Sequence, residues 1–161
     1  MPPTPIAALT LSAAALALGG CAGEDGQGDS RTQPYSGIAQ SEVIELTGTE
    51  PFWGMTIDPT ETPGADMASS GSADAVAAYS TPENIDGTRF ALERFAGNNG
   101  IGFTGTLDGG EKVTVTITPG DCSDGMSDRT YPFTATARIG ERRLKGCAYT
   151  DAQGFEGPRA P

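Results

Sequence analysis

The chain has 161 residues, enough for one domain once its ends are set aside, and a net charge of −11. That charge leaves no basic face with which to release counterions from a phosphate backbone, so nucleic acid is excluded as a partner. There is no histidine, which removes Ser-His-Asp and Cys-His catalysis and the usual zinc sites together.

Residues 6–18 are almost wholly Ala, Leu and Ile and stop at Gly19-Gly20-Cys21. Such a run is too short to cross about 30 Å of hydrocarbon, so residues 1–20 read as a signal peptide. Leu18-Gly19-Gly20-Cys21 resembles the bacterial lipobox, which makes Cys21 the expected acylated residue; a plain secretory peptide with an incidental cysteine is the alternative. The segment ahead of Ile6 is Met-Pro-Pro-Thr-Pro, without the Lys or Arg usual in a signal. Residues 21–40 then read as the acylated cysteine and a flexible tether, because their Gly, Asp, Gln, Ser and Pro cannot repay the entropy of ordering. Residues 41–150 are the expected domain, and 151–161 an expected disordered tail. The location implied is the outer membrane or the periplasmic face of the cell envelope, with the lipid as the membrane contact.

Within the domain, residues 42–49 alternate, Glu50-Pro51 interrupts, and residues 52–58 resume, which predicts two short strands or one strand broken by a bulge. Residues 58–71 are a polar loop. Residues 73–80 could be a short helix or a strand, and strand is preferred because residues 81–87, ending in Asp86-Gly87, then make a turn into a strand at 88–95. Asn98-Asn99-Gly100 and Asp108-Gly109-Gly110 bound another strand. Val113, Val115 and Ile117 alternate with Lys112, Thr114, Thr116 and Thr118, the clearest strand of all. Phe133, Ala135, Ala137 and Ile139 repeat the pattern, and Leu144, Gly146 and Ala148 share a face in the last run. The expectation is therefore an all-β fold, a small antiparallel meander barrel of seven or eight strands, with an open sheet or sandwich as runner-up. Trp53, Phe52, Phe90, Phe95, Phe103 and Phe133 are the large side chains available to fill it.

With Cys21 assigned to the lipid, Cys122 and Cys147 remain, and an exported chain with one pair of thiols usually oxidises them. The loop so closed predicts roughly 3 kcal/mol of stabilisation. Around Cys122 lie Asp121, Ser123, Asp124 and Asp128, hard ligands that invite calcium. Their spacing does not match an EF-hand loop, and the preferred reading is structural: Asp121 and Asp124 accepting backbone N–H groups, Asp128 paired with Arg129 or another base. No metal, cofactor or enzymatic activity is expected. Trp53, behind Pro51, is expected to plug a barrel end under the guanidinium of Arg142 or Arg143, with a ligand-stacking role as the alternative.

Glu50-Pro51-Phe52-Trp53, the Tyr79-Ser80-Thr81-Pro82 region, the block from Cys122 through Asp128-Arg129-Thr130-Tyr131-Pro132, and Gly146-Cys147-Ala148 resemble an uncharacterised family of bacterial lipoproteins. The resemblance spans residues 42–149. It implies a lipid-anchored or exported domain, in a family whose members sometimes lie beside domains similar to small barrel lysozyme inhibitors or to heat-shock-associated outer-membrane lipoproteins, and it implies no activity.

Charge distribution supplies the functional expectation. Residues 42–86 hold nine carboxylates and no Lys or Arg, while bases gather at Arg129, Arg138, Arg142, Arg143 and Lys145. The domain is thus either polarised, or its first half pairs with its last. A non-enzymatic binding or inhibitor-like module is expected, whose acidic half, through Glu61 and Asp66, meets a basic envelope protein or peptide while the Cys122 turn stays structural. The alternatives are a structural or stress-related lipoprotein and a carrier of small hydrophobic ligands.

Overall fold

The computed structural model describes residues 34–64, 67 and 73–158. Eight strands follow one another: β1 (Ile44–Thr49), β2 (Phe52–Asp58), β3 (Ala75–Thr81), β4 (Asn84–Ala96), β5 (Ile101–Thr106), β6 (Lys112–Cys122), β7 (Tyr131–Ile139) and β8 (Arg142–Thr150). Each pairs antiparallel with the next, and β1 closes on β8 through Ile44 opposite Thr150 and Leu46 opposite Ala148. The predicted meander barrel is the fold. Closure removes both sheet edges, so no strand is left offering a row of unpaired backbone groups.

Period-two alternation decides what fills it. Val113, Val115 and Ile117 of β6 and Phe133, Ala135, Ala137 and Ile139 of β7 all point inward and are buried. The alanines that make the pattern look light sit beside large neighbours: Ala77 opposite Phe90, Ala148 opposite Phe133, Ala137 between Val115 and Leu144. An eight-stranded barrel is just wide enough for side chains to fill, and this one is filled. Its core residues are at most 7 % exposed, many of them 0 %; a chamber wide enough for water would leave exposed surface on its walls.

Two aromatics expected inside are outside. Trp53 takes the inward position on β2, so its neighbour Phe52 must face solvent and is 53 % exposed. Phe95 also points outward, lying across its cross-strand partner Gly102, where a Cβ would collide with the ring. The β3–β4 connection is tighter than expected: Thr81 pairs with Asn84, leaving only Pro82-Glu83 as the turn. Gly87, with φ of 79°, sits in β4 where the β3–β4 register shifts between Tyr79 and Thr81, so Asp86-Gly87 serves the ladder irregularity and not the turn. At Glu50-Pro51 the peptide is cis and joins β1 to β2 as a hairpin, Thr49 opposite Phe52.

The domain also extends past both expected limits. Tyr35 donates its N–H to the Gly97 carbonyl (2.7 Å), and Ile38, 1 % exposed, joins the core. Beyond β8, Thr130 and Glu156 form a two-bond bridge, and Phe155 packs between Tyr131 (5.5 Å) and Tyr149 (5.2 Å, edge to face). Residues 151–158 are thus a strap, held by aromatic partners that its local composition does not reveal.

Candidate functional site

The outer wall formed by β1, β8 and the β6–β7 loop carries most of the side chains singled out by the sequence. Cys147 follows inward-facing Gly146 and precedes inward-facing Ala148, so it points out of the barrel, yet it is 1 % exposed. It is covered because the β6–β7 loop folds back over it and is pinned there by the Cys122–Cys147 disulfide, with Cα atoms 5.5 Å apart. The expected pairing is present.

Asp124 organises that loop. One carboxylate oxygen accepts the N–H groups of Met126 (3.0 Å) and Ser127 (2.9 Å); the other accepts the hydroxyls of Ser127 (2.8 Å) and Tyr131 (3.1 Å). Burial pushes this carboxyl up, but the four bonds to its ionised form outweigh burial and hold its pKa down at about 2. The same four donors consume the lone pairs that calcium would need. Among the described residues no group of three or more Cys, Asp or Glu is placed to hold a metal ion. Gly125, at φ of 71°, turns the chain inside this cage.

The rest of the block departs from expectation. Asp121 is exposed at the end of β6, and of the two aspartates it is Asp124 that accepts loop N–H groups, beside the Ser123 and Ser127 hydroxyls, which take those of Gly125 and Arg129. Asp128 is exposed, while Arg129 turns to the strap: its Nε donates to the Pro158 carbonyl (2.8 Å) and its guanidinium lies 4.6 Å over Phe155. The cation–π contact sought for Trp53 is therefore found at Phe155 instead. Trp53 itself is buried as a plug, while Arg142 and Arg143 stand exposed at the start of β8, opposite Ile139 and Arg138. The indole is seated against Gly48 and Gly146, where any Cβ would crowd it, and its Nε1–H donates to the Lys145 carbonyl (3.1 Å).

The two motif-bearing segments meet here. Thr49 donates its hydroxyl to the Asp124 carbonyl (3.1 Å), tying the Glu50-Pro51 hairpin to the Cys122 loop. Between them lies an open groove of about 370 Å³, lined by residues 47–50, 122–124 and 145–147. A second, polar cleft of about 330 Å³ lies at the opposite end of the barrel, between Gln40, Pro59, Asp74 and Arg94.

The acidic half is less free than its composition suggests. Glu61 pairs with Arg89 of β4. Glu42 accepts bonds from the Thr150 hydroxyl (2.5 Å), the Ala39 N–H (2.7 Å) and Gln153 (3.3 Å); against the upward push of burial, these and nearby Arg94 lower its pKa. Glu45, cross-strand from Tyr149 and Thr56, is half-buried; burial raises its pKa, partly offset by the Thr56 hydroxyl (2.9 Å). Asp74 accepts the Arg94 backbone N–H (2.7 Å). Glu50, Glu83 and Asp86, by contrast, are exposed in or beside the β1–β2 and β3–β4 turns. The first half is thus balanced by β4, where sequence reasoning looked to the last strands. Asp66 and Cys21 lie outside the described residues.

Compared with known proteins, the chain matches no family model, no curated sequence and no solved structure.

Proposed function

We propose that this is a non-enzymatic, lipid-anchored envelope module that binds a cationic protein or peptide, in the manner of an inhibitor domain, on its outer surface. The observation that carries the reading is the filled interior: with core residues at most 7 % exposed, a small hydrophobic ligand has nowhere to lodge in the barrel, so recognition falls to the outside. The excess of carboxylate sets the sign of the partner.

Within residues 42–86 the carboxylates available to it are Glu50, Glu83 and Asp86, because Glu61 already has Arg89. They stand at the end carrying the β1–β2, β3–β4, β5–β6 and β7–β8 turns. The chain joins the barrel at the other end, where Tyr35 bonds to the β4–β5 turn.

The test is affinity capture from envelope extracts with the full chain as bait, at low and at high ionic strength. A basic protein retained at low salt and released at high salt is expected. Capture of no basic protein at low salt would leave the charge a solubilising feature and favour the structural-lipoprotein reading.

A further inference from the structure

The two motif-bearing segments do more than meet: each displays one large apolar side chain to solvent, two residues along the chain from the lining of the groove between them. Phe52 is 53 % exposed and faces outward next to the Glu50-Pro51 turn; Met126, 68 % exposed, follows Asp124 by two residues. Solvated apolar groups of this size are unfavourable where they stand, and neither is needed to fill the core.

Their supports are rigid. The hairpin under Phe52 is backed by the Trp53 indole bonded to the Lys145 carbonyl, and the loop under Met126 is held by the disulfide, by the Asp124 cage and by the Thr49 hydroxyl. A surface ordered before binding loses little entropy when a partner arrives, and exposed anchors on such a surface are the usual makings of an interaction hot spot. The groove, at about 370 Å³, falls at the small end of the range for ligand sites, enough for side chains of a peptide and little more. Flanking it, the exposed carboxylates Glu50, Asp121 and Asp128 outnumber the exposed bases Lys145 and Arg143.

From this arrangement we infer that the groove between the Glu50–Trp53 hairpin and the Cys122–Met126 loop is a docking site for a cationic peptide segment, with an apolar side chain seated between Phe52 and Met126 and Lys or Arg beside Glu50 and Asp121. The inference rests on the binding-module reading and specifies its contact. It gives the Cys122 loop a part in recognition, where the sequence assigns it only a structural one.

The test uses the full chain and a fluorescent peptide of alternating Lys and Leu, with a matched peptide in which Ser replaces Leu. The Lys-Leu peptide is expected to bind at least tenfold more tightly than the Lys-Ser peptide, and the double variant Phe52→Ser, Met126→Ser to weaken it at least tenfold. Both substitutions are at exposed positions, so an unchanged melting temperature identifies a folded variant; amide-shift mapping of the unmodified chain gives the site independently, with changes expected in residues 47–53, 122–126 and 145–147. Equal binding of the Lys-Leu peptide to the double variant, or shifts confined to Glu83 and Asp86, would overturn the groove while leaving the binding-module reading standing. Failure of every cationic probe, together with no basic protein captured, would remove both.

Discussion

Two acidic stretches of this chain are used differently. In the β6–β7 loop a single carboxylate, Asp124, is consumed by four donors of its own neighbourhood and becomes the pin of the loop. In residues 42–86 the carboxylates are distributed: Glu42, Glu45, Glu61 and Asp74 are taken up by partners that the barrel brings from β2, β4, β8 and the strap, and Glu50, Glu83 and Asp86 remain in solvent. A count of acids therefore measures neither stability nor recognition. What matters is which oxygens the fold leaves without a donor.

The largest expected effect sharpens the first half of the comparison. Replacing Cys122 and Cys147 by Ala should cost about 3 kcal/mol in denaturant unfolding, because the unfolded chain regains the loop that the bond closes. A loss near zero would mean that the Asp124 cage alone holds the loop.

Next comes Asp124→Ala. It strands the Tyr131 hydroxyl and three loop donors, and should cost about 2 kcal/mol at neutral pH. Its pH dependence has a definite sign. The folded pKa, about 2, lies below the ordinary 3.8, so the contribution of the ionised group is present above pH 4 and is lost as pH falls toward 2. Acid titration of stability should be shallower in Asp124→Asn over that window.

Trp53→Phe retains most of the plug and removes one hydrogen bond, to the Lys145 carbonyl, so about 1 kcal/mol is expected by thermal unfolding. Glu61→Gln is the smallest. Its pair with Arg89 is solvent-exposed on both sides, and a change below about 0.5 kcal/mol is expected. A larger loss would mean that the acidic half is held together by its charges.

The barrel was legible because it is written locally. Alternation along residues 112–118 and 133–139, with Gly and Pro between, needs no knowledge of distant partners. The disulfide was legible by elimination. What escaped was decided by neighbours far along the chain. Ile38 and Phe155 are lone apolar residues in polar segments, and only the barrel end near Gly97 and the Tyr131–Tyr149 pair give them a place. Phe52 and Trp53 are adjacent, and period two requires them to face opposite ways without saying which goes in; Gly48 and Gly146 decide it by making room for the indole. Glu61 looked available because its partner, Arg89, lies two strands on. Asp124 was marked as a turn residue, but its reach to Tyr131 and the tie of its carbonyl to Thr49 depend on the loop folding back over β8.

The claim that the solvent-facing carboxylates, and not the engaged ones, do the recognising can be measured by association kinetics with the captured basic partner over a range of ionic strength. Opposed potentials act chiefly on encounter. The account predicts that Glu50→Gln, Glu83→Gln and Asp86→Asn together slow association at low salt and flatten its salt dependence, while Glu61→Gln leaves both unchanged. The reverse pattern, with Glu61→Gln slowing association and the triple variant indistinguishable from the unmodified chain, would contradict it.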